Sequence, residues 1–317
     1  MLEVFKTQSD RTLKVMSTDN PEAGCWFNMI KPTGDEIKSV SEAIGVDADF
    51  LRDALDIEER SRIEIEDNNM LMIINVPIME DENSFDTLPL GIIVTPDYLV
   101  TISLRENKII SFFNEDTAKI FDTNKRTNFI FQILTRSTRF YLRYLEHINK
   151  LTDQIEINLR KTMKNKALFQ LFEVQKSLVY FTTALKDNGI VFEKLIRHKK
   201  MAAMQHIIQF SEDDVDTLED VIVENKQAFE MVEMHRSILE NMMDAFASII
   251  SNNLNMVMKF LTSVTIMLAV PTLIASYWGM NLVVPFAGTP WGFAVIVIFS
   301  MILATIIGFI LVKKDMF

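Results

Sequence analysis

The sequence predicts an α/β N-terminal cytoplasmic domain, a long stalk helix and a C-terminal two-helix transmembrane hairpin. Three observations predict it. Residues 260–312 hold no Asp, Glu, Lys or Arg, whereas part of any segment of a soluble domain faces water and carries charge. From Ser211 to Gly279 no other glycine occurs and Pro271 is the one proline, the pattern of one uninterrupted helix. Before residue 125, short apolar runs alternate with helical spacing, the pattern of a compact α/β domain.

Taken in order, residues 70–79 and 90–104 are apolar or β-branched runs, and Pro96-Asp97 splits the second into a hairpin. Residues 35–60 have helical spacing broken near Gly45. From about 127, Phe131, Leu134, Leu145, Ile148 and Ile155 recur at three- and four-residue spacing. Asp187-Asn188-Gly189 is expected to turn the chain into a second helical run ending near Gln209. Ser211 followed by Glu212, Asp213 and Asp214 is a helix start, a capping hydroxyl with acids at the positive end of the dipole. About 65 helical residues from there would extend roughly 100 Å, far beyond a bilayer core of about 30 Å. Most of that helix therefore stands outside the membrane as a stalk, with Val215, Leu218, Ile222, Phe229, Val232 and Leu239 on its apolar stripe.

The uncharged stretch has room for two spans of about 20 residues each. This excludes both a purely soluble enzyme and a single-chain polytopic transporter. Lys259 precedes the first span and Lys313 and Lys314 follow the second, with no Lys or Arg between. By the positive-inside rule both termini are cytoplasmic. Tyr277, Trp278 and Trp291 are the interfacial aromatics of the outer end. The expected partition is an α/β domain over 1–125, a helical layer over 126–210, the stalk over 211–259 and a first span over 260–280. An outer loop over 281–290, a second span over 291–312 and a tail over 313–317 complete it.

The chain has 317 residues and a net charge of −11. That acidity argues against a nucleic-acid partner, which needs a basic patch, and suits cations. The single cysteine, Cys25, cannot form an intrachain disulfide, which fits a reducing compartment. No apolar h-region follows Met1, so no secretory signal is expected.

Tyr277-Trp278-Gly279-Met280-Asn281 closes the first span, and here the sequence resembles the CorA family of divalent-cation channels, whose signature is Gly-Met-Asn at this place. Asn255-Met256-Val257-Met258-Lys259 resembles the family's Asn-x-x-Met-Lys junction, and residues 55–64, LDIEERSRIE, resemble a segment of a bacterial branch. The resemblance covers essentially the whole chain. It implies a homopentamer in the bacterial inner membrane that takes up Mg²⁺, with Co²⁺ or Ni²⁺ also accepted, and uses no organic cofactor. The first span would line the pore and the second would form an outer ring. Gly279, Met280 and Asn281 would form the selectivity filter. Asn255, Met258, Leu261, Thr265 and Thr272 would line or gate the pathway. Asp220 on the stalk and Asp81, in the loop after a strand, would hold regulatory Mg²⁺ between subunits, with Asp213, Asp216, Glu80 and Glu82 as further ligand candidates.

These residues suit the chemistry. Mg²⁺ releases its water shell reluctantly, and a ring of Asn281 amide oxygens holds those waters without stripping them. Gly279 would let the backbone approach closely and leave helical geometry; read locally, Gly then Asn favours a helix C-cap, and it is the full-length resemblance that favours the filter. A divalent ion crossing 100 mV gains about 4.6 kcal/mol, so no ATP is required. Read on polarity alone, Thr262, Thr265, Thr272 and Ser276 also fit plain packing. The outer loop lacks the acids that many family members carry there.

Other classes remain open at this level. A zinc transporter of the same fold would favour His and Cys ligands, but His147, His198, His206 and His235 are scattered along helices. An anchored enzyme finds no phosphate loop or nucleophile elbow. Glu58, Glu59 and Glu64 stand beside Arg60 and Arg62, which reads as structural ion pairing. A passive sensor would carry no current.

Overall fold

The computed structural model describes residues 1–18, 21–162, 165–198, 207–281, 284–286, 288–314 and 316. The chain separates into two units, Met1–Glu240 and Asn241–Phe317.

In the first unit seven strands form one sheet: β1 Leu2–Thr7, β2 Leu13–Val15, β3 Trp26–Ile30, β4 Arg62–Glu66, β5 Asn69–Asp81, β6 Ser84–Val94 and β7 Leu99–Ser103. Their order is β2-β1-β3-β7-β6-β5-β4. β3 and β7 run parallel and every other neighbouring pair is antiparallel. The Pro96-Asp97 hairpin forms as expected, with Val94 opposite Leu99 and the Thr95 amide donating to the Tyr98 carbonyl at 3.0 Å.

Side-chain alternation places helices on both faces. Phe27, Leu71, Ile73, Ile93, Val100 and Ile102 form a core with Ile37 and Val40 of α1 (Gly34–Ile44) and Phe50 and Leu51 of α2 (Ala48–Asp53). Trp26, one residue before Phe27, points the other way, against Phe129 of α3 (Arg126–Thr162), with ring centroids 5.1 Å apart. Phe85 likewise meets Tyr144 of α3 and Phe181 of α4 (Asn165–His198). Burial on both faces is why the central strands are continuously apolar. Gly91 makes room for Ala54 at the end of α2. A Cβ there would stand 2.4 Å from the Ala54 Cβ. Gly45 closes α1 in the left-handed conformation, φ 69°.

One expectation is corrected here. The Asp187-Asn188-Gly189 turn does not form, and α4 runs through it to His198. Asn188 is 1% exposed and spends its side chain on the sheet, while Gly189 lets Asn225 approach; its Nδ2 would lie 3.2 Å from an added Cβ. Tertiary hydrogen bonds override a locally turn-prone tripeptide. Residues 163–164, between α3 and α4, lie outside the described residues, as do 199–206 of the run expected to reach Gln209.

The long helix, α5, spans Glu212–Trp278. Ser211 caps it: its Oγ accepts from the Asp214 amide at 3.2 Å and donates to the Asp214 carboxylate at 2.7 Å. Its buried seam in the first unit is Leu218, Val221, Asn225, Ala228, Val232 and Leu239. That alternation of three and four residues is a coiled-coil spacing. Ile222 and Phe229, expected on the stripe, lie at its flank; α4 meets the helix on the face that carries Asn225.

The second unit holds the rest of α5 and α6 (Gly292–Lys313). Both helices are long and apolar enough to cross a membrane. Ser263 of α5 donates to the Met316 carbonyl at 2.9 Å. Met267 packs on Gly308, where an added Cβ would sit 3.0 Å from its Cε. Small residues at such contacts let membrane helices pack closely.

Candidate ion pathway and acidic cluster

At 100° per residue, Met258, Leu261, Thr265 and Thr272 fall within an arc of about 60° on α5, and Asn255 lies about 60° beyond it, next to Met258. Ser263, which holds Met316, lies about 180° away. The face carrying the candidates is therefore the one that α6 leaves uncovered, and Asn255, Met258, Leu261, Thr265 and Thr272 are all exposed. Thr265 donates its hydroxyl to the Leu261 carbonyl at 2.8 Å and Thr272 to the Leu268 carbonyl at 3.0 Å. With their protons committed to the backbone, both oxygens present lone pairs outward. That is the polarity a hydrated cation needs, since its water shell directs protons outward.

α5 ends at Trp278, and Gly279 still donates to the Ala275 carbonyl at 2.9 Å. Gly279 is absent from the positive-φ residues, so it is not a left-handed glycine cap. An added Cβ would touch only Ala275 O at 3.4 Å and Ser276 O at 3.7 Å. Within one chain its small size is not required. Met280 and Asn281 are exposed just beyond the helix. The Trp278 indole donates to the Pro285 carbonyl at 3.1 Å and ties the following loop to the helix end.

In the first unit Asp213, Asp216 and Asp220 lie within about 60° on α5, exposed and opposite the buried Leu218. Asp81 is not in a loop after the strand: it is the last residue of β5, paired with Ser84. A register shift between Met79 and Asp81 extends the ladder to it. Asp81 and Glu82 are exposed, whereas Glu80 is bound to Arg105 at 2.7 Å. Among the described residues no three His, Cys, Asp or Glu side chains come together to hold a metal.

Glu59 and Glu64 do pair with Arg62, as the charge pattern suggested, and Asp53 joins them. Glu58 and Arg60 stay outside that network. Cys25 is fully buried and burial raises its thiol pKa. Sequence reasoning passed over Arg136, Arg139 and Arg143, which line one cavity. Their spacing of three and four residues was the available signal.

An α/β domain joined by one helix to an apolar hairpin, with a polar open face ending in Gly-Met-Asn, defines a membrane protein of the ion-transporter class. The family model described as CorA-like Mg²⁺ transporter protein matches residues 21–314. The chain belongs to this family, whose members are ion transporters and not enzymes. It is 28% identical to the cobalt/magnesium transport protein CorA of Methanocaldococcus jannaschii, over 90% of this chain and 89% of that one. The CorA protein of Thermotoga maritima is 24% identical over 91% of this chain and 82% of its own. The complete structure of the Methanocaldococcus jannaschii CorA magnesium transporter superposes with a TM-score of 0.82, 25% identity, 98% of this chain and 96% of that chain.

Proposed function

We propose that the chain is the subunit of a homopentameric channel for uptake of hydrated Mg²⁺, with Co²⁺ or Ni²⁺ as alternative cargo. The observation that carries this reading is the uncovered face of α5. One hairpin cannot enclose a path, so copies arranged about an axis must supply the rest of the wall. α6 covers the opposite side, through Ser263 and Met267, and the uncovered side bears Asn255, Met258, Leu261, Thr265 and Thr272. Met258 and Leu261 form apolar rings that close the path by dewetting, and the two threonines accept from the ion's water. Gly279, Met280 and Asn281 form the outer filter, where a neutral amide attracts the hydrated ion and still releases it. Both termini are cytoplasmic, and the membrane potential drives entry. Cytoplasmic Mg²⁺ bridges Asp81 and Asp220 of adjacent subunits and holds the channel closed.

The names of the relatives support Mg²⁺ and Co²⁺ as cargo. The test is Mg²⁺ influx into liposomes containing the purified chain, with an interior-negative potential. Asn281→Ala is expected to lower influx by about tenfold, equivalent to ~1.4 kcal/mol in the barrier. Influx equal to that of the unmodified chain would remove Asn281 from the filter.

A further inference from the structure

A cavity of about 530 Å³ lies between the segment preceding α3, α3 itself and α5, within the first unit. Arg136, Arg139 and Arg143 line it from one stripe of α3. Such a convergence of guanidinium groups normally calls for carboxylates, and this chain has acids in excess, 43 against 32 bases. Yet the only ion pair there among the described residues is a loose one, Arg139 to Glu224 at 3.8 Å. Arg136 and Arg143 pair with no carboxylate among those residues. Arg136 lies over the Phe112 ring, 3.3 Å from its centroid, and its Nε is buried with no hydrogen-bond partner among the described residues. Burial, then Arg143 and Arg139, lower its pKa, so positive charge is held here against its own repulsion.

We infer that this cavity binds a phosphate-bearing small molecule of nucleotide size. Forked guanidinium donors match phosphate oxygens in pairs, and a multiply charged phosphate relieves three arginines at once. The volume lies in the range of about 300–1,000 Å³ typical of organic ligands and exceeds the need of inorganic phosphate. Phe112 and the exposed Ile120 provide an apolar wall for the remainder of the ligand. Thr217 on α5 closes the other side.

The test is equilibrium binding of labelled ATP to the full chain in detergent, in Mg²⁺-free buffer so that metal chelation plays no part. Saturable binding at one site per chain is expected, displaced by pyrophosphate and far less by citrate. Arg139→Ala combined with Arg143→Ala should weaken it by about tenfold or more, since two charge-assisted contacts are lost. Both side chains are exposed, Arg139 by 70%, and the variant is expected to melt at the temperature of the unmodified chain. Three results would overturn the assignment: no saturable binding, unchanged affinity in the folded double variant, or displacement by citrate as strong as by pyrophosphate. Displacement by short-chain phosphatidylglycerol below the pyrophosphate concentration would also overturn it, in favour of a lipid headgroup.

Discussion

The side-chain amide of Asn188 grips the backbone of Asn75 from both ends, accepting from its N–H at 2.9 Å and donating to its carbonyl at 2.8 Å. The ladder between β4 and β5 ends at Arg62 opposite Ile73, so Asn75, two residues on, has no partner in β4. A helix side chain takes the place of the missing strand. Ser61 donates to the same Asn188 oxygen at 2.8 Å and fixes the amide's orientation. Asn188→Ala strips the Asn75 amide of its partner beneath a helix, at a cost of about 2–4 kcal/mol. A lowered melting temperature of the full chain, with the transport mechanism otherwise intact, is the expected outcome. Asn188→Asp keeps the acceptor and should recover part of the loss.

The hairpin was legible in the sequence because a membrane selects on hydropathy, and a 260–312 stretch without charge leaves no other solution. The start of α5 was legible because Ser211 and Asp214 satisfy helix-end groups locally. Asn188 was misread for the opposite reason: its partners are 113 residues away. The seam of α5 was displaced by one position because hydropathy alone ranks Ile222 and Phe229 above Asn225 and Ala228. Packing against α4 reverses that order, with the Asn225 amide donating to the Leu185 carbonyl at 2.9 Å. The proposed filter and regulatory acids would be completed by neighbouring copies, so the sequence offers candidate residue types and no partners for them.

Gly279 is where a steric requirement of one chain can be told apart from one of the proposed ring. An alanine Cβ would meet only ordinary contacts within the chain, and its backbone is not in the left-handed region. Gly279→Ala should therefore leave expression and thermal stability unchanged while reducing Mg²⁺ influx about tenfold, ~1.4 kcal/mol in the barrier. Wild-type influx in liposomes would mean that the glycine has no role in the ring.

His235 gives the first unit an acid limit. Burial lowers its pKa, and the carboxylate of Asp153 opposes that shift less strongly. A histidine held below its unfolded value binds fewer protons when folded, so unfolding is favoured as pH drops. Stability is therefore retained above the unfolded histidine value of about 6.5 and declines as pH falls through it. His235→Gln is expected to flatten the melting temperature between pH 7 and pH 5. A slope equal to that of the unmodified chain would place the acid sensitivity elsewhere.

Asp220 tests the proposed feedback. It is exposed on the side of α5 opposite Leu218, with Asp213 and Asp216 on the same stripe. Like charges so placed repel unless a cation screens them. If Mg²⁺ binds there in the closed state alone, its binding energy is what holds that state, and the closing concentration reports the coupling. Asp220→Lys replaces a ligand by a repelling charge, and closure should then require about tenfold more cytoplasmic Mg²⁺, within the usual range of coupling energies. Glu219→Lys makes the same charge change on the adjacent exposed position, outside the stripe. It should leave the closing concentration nearly unchanged. Equal shifts in the two variants would assign the effect to the net charge of the helix, and no shift in Asp220→Lys would remove Asp220 from the site.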